Sequence, residues 1–280
     1  MHTGKGIMIF GLEWQLIAEL LLLGSATGFL AGLLGIGGGM LLVPFLTMIL
    51  AHRGVPADLA VKMAIATSMS TILFTSLSSV RAHHRRGAVR WDLVRGLAPG
   101  IVIGGLLAGV GVFALLKGAW LAIFFALFVS FSATQMLRGR KPSPGRQMPA
   151  AAGQVVAGGV IGFLSGLVGA GGGFVSVPFM TWCNVAIHSA VATSAALGFP
   201  IALANTAGYV IGGWSLPSVL PGALGYLYLP ALAVIAAASV LLAPLGARAA
   251  HAMNITQLKR VFASLLYGLA AYMLYKGMFG

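Results

Sequence analysis

Residues 28–45 read GFLAGLLGIGGGMLLVPF, and residues 162–179 read GFLSGLVGAGGGFVSVPF. At a constant offset of 134 residues, 12 of the 18 positions are identical. Such agreement within one chain marks an internal duplication, so whatever these glycines build is built twice. Each copy sets three consecutive glycines and then a proline inside an apolar stretch, and both residue types weaken a helix interior. The pattern predicts a helix that stops and restarts at the same place in each copy.

Composition fixes the solvent. The 280-residue chain is 59% hydrophobic and 8% charged, with a mean hydropathy of +0.98. That is the composition of an integral membrane protein. Apolar runs at about 14–34, 57–80, 92–116, 119–137, 150–169, 189–211, 226–247 and 257–279 are each near the roughly 20 residues that cross a bilayer as helix. Two shorter runs, about 40–51 and 174–187, directly follow the glycine clusters, and runs of that length are broken, re-entrant or interfacial. A transmembrane barrel would alternate polar and apolar residues instead. LIAELLLL followed by GSA resembles a signal-peptide core. Its counterpart, AAGQVVAGGVIG, lies in mid-chain, so 14–34 is read as structural.

Of 17 Lys and Arg residues, five lie at 81–95, four at 138–146 and three at 248–260, which places these three connections in the cytoplasm. The uncharged 212–225 loop goes outside, and both termini are expected in the periplasm. Segment 57–80 then ends inside, whereas its counterpart 189–211 ends outside. The expected fold is an all-α integral membrane protein of two inverted-topology repeats. Each repeat has about five helical segments, one of them short and broken or re-entrant. The halves are 1–140 and 150–280, joined by a cytoplasmic linker at 141–149, KPSPGRQMP.

Inverted repeats with matching breaks occur in secondary transporters, whose breaks meet near the midplane and form the substrate site. A helix that begins inside the bilayer presents free N–H groups and the positive end of its dipole, and glycine lets an anion approach them closely. This nominates Gly35, Gly37, Gly38 and Gly39 in the first copy and Gly169, Gly171, Gly172 and Gly173 in the second. Pro44 and Pro178 are expected in the first turns of the restarted helices, where a missing N–H costs least. The alternative is close helix packing on small residues.

GLLGIGGGMLLVPF and GLVGAGGGFVSVPF are followed by Ala66-Thr67-Ser68 and Ala192-Thr193-Ser194. These elements resemble the two signature halves of the TauE/SafE sulfite-exporter family, also called TSUP transporters. The resemblance extends over essentially the whole chain, including PLGARAAH at 244–251. It implies a bacterial inner-membrane carrier for small sulfur-containing anions such as sulfite or sulfonates, moved without ATP.

The residues support an anion independently. The chain has four acids, and only Glu19 lies well inside an apolar run, whereas carriers of metal cations or sodium commonly use membrane carboxylates. No GxxxxGK[ST] loop is present. The formal charge of +13 follows from topology and membrane-surface attraction. The expected partners are therefore a small anion and the lipid bilayer, with no nucleic acid, cofactor or metal.

Beyond the short segments the copies align at an offset of 126, read as a shorter second loop. Lys62 then matches His188, one basic residue per half before each Thr-Ser pair; both are candidates for an anion path, or else snorkel near a helix end. Histidine titrates nearest neutrality, so His188 is expected to link anion binding to protons, with a counter-anion as the alternative driving partner. Thr67, Ser68, Thr193 and Ser194 offer hydroxyls to an oxyanion, or bond their own helix. Asn205, matched by Ser79, is a ligand contact or interhelical glue. No HExxH or Ser/His/Asp spacing is present, so the chain is read as no enzyme. A passive anion channel and a membrane hydrolase or phosphatase using Glu19 and His188 remain as alternatives.

Overall fold

The computed structural model describes residues 8–9, 12–34, 38–138, 146–249 and 255–279. Its architecture follows from ten helices among the described residues. The first five are α1 (Trp14–Leu34), α2 (Gly39–His52), α3 (Ala57–His84), α4 (Trp91–Leu115) and α5 (Gly118–Arg138). The second five are α6 (Ala151–Val168), α7 (Gly173–Trp182), α8 (Ile187–Gly212), α9 (Leu229–Ala249) and α10 (Ile255–Phe279). Two small antiparallel hairpins complete the list, Met8–Ile9 with Leu12–Glu13 and Ala223–Leu224 with Leu227–Tyr228.

Among the described residues eight helices are long and apolar enough to cross a membrane, and they coincide with the eight long apolar runs. The outward faces carry Leu22, Val156, Leu241, Val261 and Phe279, each about seven-tenths exposed. A bundle that turns such residues outward is in its own solvent when that solvent is lipid. The buried centre is formed by α3 and α8, with Ala64, Ile65, Ala66, Met69, Leu197, Ile201 and Tyr209 inaccessible.

The short helices α2 and α7 double back. Arg53, in the turn after α2, pairs with Glu13 and Glu19 at the start of α1, so α1 and α2 enter and leave on one side. In the second half the Arg146 amide donates to the Trp182 carbonyl at 3.3 Å, and its guanidinium stacks 5.0 Å from the Trp182 ring. The end of α7 therefore lies beside the approach to α6. Glu19, expected deep in a run, is instead half-exposed in this ion pair, because α1 begins at Trp14 and Glu19 lies only in its second turn.

Exchanging the halves maps one set of packing partners onto the other. α1 packs on α9 and α6 on α4; α3 packs on α8 and α5 on α10; α2 packs on α3 and α7 on α8. Small residues allow the closest of these approaches. A Cβ on Gly28 would lie 2.4 Å from Ser239 Cα, and one on Gly104 would lie 2.0 Å from the Gly159 carbonyl oxygen.

Three details correct the sequence reading. The run at 174–187 is helical only to Trp182, because Asn184 takes a left-handed φ of 62° and the Val185 amide turns back to the Met180 carbonyl at 3.0 Å. The offset does not fall to 126 through a shorter loop. The turns 53–56 and 183–186 are equally long, and the difference is one helical turn in each arm of the hairpin: α2 has 14 residues against 10 in α7, and Thr67 lies further into α3 than Thr193 does into α8. Pro44 and Pro178 fall in the second turns, not the first, so each leaves one carbonyl, that of Met40 or Phe174, without its usual intrahelical donor.

Candidate functional site

At the second break α6 ends at Val168, and Gly169 caps it in the left-handed region with φ 71°. The Gly169 amide returns to the Ser165 carbonyl at 2.9 Å. Gly172, with φ 75°, then caps the start of α7. Two left-handed residues within four positions need glycine at both. In the first break Gly35 and Gly37 lie outside the described residues. Gly38 caps α2 with an ordinary φ of −79°, so its lack of a side chain serves proximity: a Cβ there would lie 3.0 Å from the Thr27 carbonyl oxygen.

The two breaks touch. A Cβ on Gly39 would lie 2.6 Å from the Gly169 carbonyl oxygen and 3.3 Å from Ala170 Cα. Ser68 sits between them, its hydroxyl 3.3 Å from the Gly39 carbonyl oxygen and 3.2 Å from that of Gly169. Gly171 packs on Ile72, and Gly173 faces Ser194.

The threonines of the Thr-Ser pairs have matching partners on the opposite half. Thr67 accepts the Tyr228 amide at 3.0 Å, one residue before α9. Thr193 accepts the Arg90 amide at 3.0 Å, one residue before α4. Each hydroxyl thus satisfies an N–H at the entry of a neighbouring helix. Ser194 shares a 2.7 Å hydrogen bond with Ser176.

Lys62 and His188 stand apart from the breaks. Lys62 is buried, donates to the Ala114 carbonyl at 3.2 Å and lies 5.5 Å from the Tyr226 ring centroid. His188 is exposed. It lines a cleft of about 420 Å³ with His83, Arg86, Ala88, Ile187 and Val191. Burial and the Arg86 guanidinium push the His83 imidazole below its usual range. The extra turn at the start of α3 accounts for the contrast, since it covers Lys62 while His188 is only the second residue of its helix. His188 precedes Ser194 by about 9 Å along α8.

Asn205 is fully buried. Its Nδ2 donates to the carbonyls of Ile201 at 2.8 Å and Gly162 at 3.3 Å, while Oδ1 has no partner. It joins α8 to α6, and a Cβ on Gly166 would lie 2.0 Å from Oδ1. The geometry is that of interhelical glue.

Two hydroxyls at the second break were not singled out from the sequence, Ser165 and Ser176. Their positions in the first copy hold Ala31 and Leu42. Comparing where the copies differ, instead of where they agree, would have found them. No group of three or more His, Cys, Asp or Glu residues with metal-holding geometry occurs among the described residues.

The sulfite exporter TauE/SafE family profile matches residues 20–273. A probable membrane transporter protein of Haemophilus influenzae is 35% identical over 256 residues, covering 91% of this chain and 97% of that protein. One of Methanocaldococcus jannaschii is 30% identical over 235 residues, covering 79% and 87%. A third, from Bacillus subtilis, is 29% identical over 216 residues, covering 69% and 78%. No solved structure matches the chain.

Proposed function

Because the chain belongs to the TauE/SafE sulfite exporter family and is a multi-pass membrane transporter, we propose that it carries small sulfur-containing oxyanions, sulfite or sulfonates, without ATP. The anion binds where the two glycine breaks meet, in a protein of two inverted repeats, 1–140 and 150–280, joined by a linker at 141–149. The observation that carries this reading is the Ser68 hydroxyl, which lies against the carbonyls of Gly39 and Gly169 and so links the breaks of the two halves. The reciprocal helix pairing and the matched threonine contacts support the repeat arrangement.

The proposed setting is a bacterial inner membrane with both termini in the periplasm. Lys62 then belongs to the outer side and the cleft of His83, Arg86 and His188 to the cytoplasmic side. A cation near each mouth attracts the anion, and the neutral centre binds it. Protons or a counter-anion drive net movement, with His188 the proton-linked group at the inner mouth.

The test is uptake of radiolabelled sulfite and of methanesulfonate into liposomes holding the purified protein, with and without internal anion or a pH gradient. Saturable uptake accelerated by a trans anion or by protons is expected. Uptake linear in concentration and indifferent to both would identify a channel. Failure to move any of these anions would refute the substrate class.

A further inference from the structure

The two breaks are equivalent in sequence but not in their unpaired hydrogen-bond donors. We propose that anion recognition is confined to the second break, where four uncharged donors around the first turn of α7 take one monovalent oxyanion of the sulfonate or hydrogen sulfite type. The assignment rests on the substrate class proposed above.

Ser165 is the first observation. Its residue exposure is 2%, and its Oγ has no hydrogen-bond partner, although a serine within a helix ordinarily bonds back to the preceding turn. The oxygen lies 3.1 Å from where a Cβ on Gly172 would stand, so it faces the start of α7. A buried hydroxyl without a partner is costly to keep, and a ligand that accepts its hydrogen removes the cost.

At the same turn, Ser194 Oγ lies 3.4 Å from the Cβ position of Gly173 and shares its hydrogen bond with Ser176 Oγ. Two hydroxyls bring two hydrogens and their mutual bond uses one, so one remains to be donated. The amides of Gly173 and Phe174 precede the first intrahelical bond of α7 and reach no backbone acceptor among the described residues. Gly171 and Gly173 are only half-buried, which leaves the turn approachable. Two hydroxyl and two amide hydrogens thus converge on one helix start, where the dipole also favours negative charge.

The first break lacks this set. Ala31 and Leu42 occupy the positions of Ser165 and Ser176, and Ser68, the counterpart of Ser194, directs its hydrogen to the carbonyls of Gly39 and Gly169. Its role is to hold the breaks together.

The neutrality of the donors sets the charge of the ligand. Ile72, against which Gly171 packs, is about 15 Å along α3 from Lys62, and His188 is about 9 Å along α8 from Ser194. The desolvation cost of an ion rises with the square of its charge, while the helix start supplies only about half a unit of positive charge. A dianion such as sulfate is under-compensated here, whereas a monoanion matches the charge, and its three oxygens have lone pairs enough to accept all four hydrogens.

The experiment uses the full-length protein in detergent with methanesulfonate and sulfate as probes, reading ligand-induced thermal stabilisation and liposome uptake. Wild type is expected to respond to methanesulfonate at concentrations at least tenfold lower than to sulfate. Ser165→Ala should weaken the methanesulfonate response about 10- to 100-fold, the loss of one hydrogen bond to a charged group. Without ligand it should unfold no earlier than wild type, since it deletes an unsatisfied hydroxyl. Ser176→Ala combined with Ser194→Ala, which removes the remaining hydroxyl hydrogen, should weaken the response by a similar factor, and Ala31→Ser should leave it unchanged. Full responses in both Ser165→Ala and the Ser176→Ala/Ser194→Ala double variant, or equal affinity for the two anions, would overturn the subsite alone. A wild type that neither binds nor carries any sulfur oxyanion would remove the substrate class proposed above, and the subsite with it.

Discussion

Gly38 and Gly172 occupy the same place in the two copies and cap the starts of α2 and α7, yet alanine at each should have different consequences. At Gly172 the backbone has φ 75°, a left-handed conformation that costs an L-residue about 1–2 kcal/mol. The new Cβ would lie 2.4 Å from Ile201 Cδ1. That is the end of a flexible side chain, whose displacement from its rotamer adds about 0.5–1.5 kcal/mol. Gly172→Ala is therefore expected to destabilise the fold by about 2–3 kcal/mol. At Gly38 the φ of −79° suits any residue. The Cβ would lie against Thr27, 3.0 Å from its carbonyl oxygen and 3.3 Å from its Cβ, and loss of glycine freedom in the unfolded chain returns about 0.4–1 kcal/mol. Gly38→Ala should thus stay within about 1 kcal/mol of wild type. Unfolding of each variant in mixed detergent–SDS micelles, followed by helical circular dichroism, measures the difference. Equal losses, or a larger loss for Gly38→Ala, would refute the account of why the second break needs its glycines.

Cysteine placed at Ser218 should react with a membrane-impermeant thiol reagent from outside on a Cys183-free background, and cysteine at Arg86 should not; the reverse pattern would overturn the orientation. Lys62→Met should raise the anion concentration needed for half-maximal transport with little change in its pH dependence, whereas His188→Gln should flatten the pH profile of transport; an unaltered profile removes His188 from coupling. Burial and Arg86 hold the His83 imidazole below its usual range, so the unfolded chain takes up that proton first. The associated stability is present above the ordinary histidine range, near about 6.5, and is lost as pH falls from there through the lowered folded-state value. His83→Gln should make apparent stability fall less steeply below about pH 6.5, and an unchanged slope would contradict it.

The long helices were legible because a span of about 20 apolar residues has few other uses, and α1, α5, α6 and α10 begin or end within a few residues of their apolar runs. The turn at 183–186 was not, because CNVA is as apolar as the helix before it and only the left-handed Asn184 ends that helix. The breaks were visible as glycines, but the type of glycine was not: Gly169 and Gly172 serve backbone conformation, whereas Gly38 and Gly39 serve proximity. The matched pair Lys62 and His188 looked equivalent at a fixed offset. Their different burial comes from the extra turn before Lys62, which a residue alignment reports only as a gap. Ser165 and Ser176 read as small residues in a packed apolar helix, and their significance depends on hydrogen-bond geometry that no spacing encodes.

The unequal arms of the two short-helix hairpins have a consequence for the depth of the breaks. Four extra residues lengthen each arm of α2–α3 by about 6 Å at 1.5 Å per residue, about a fifth of the hydrocarbon thickness. In the proposed inverted arrangement the two tips point to opposite membrane faces, so the contact between the breaks lies deeper below one face than below the other. A carrier made of two identical halves would open identically toward both faces. In the proposed carrier the two hairpins differ in length, so the structure is asymmetric about the contact between the breaks.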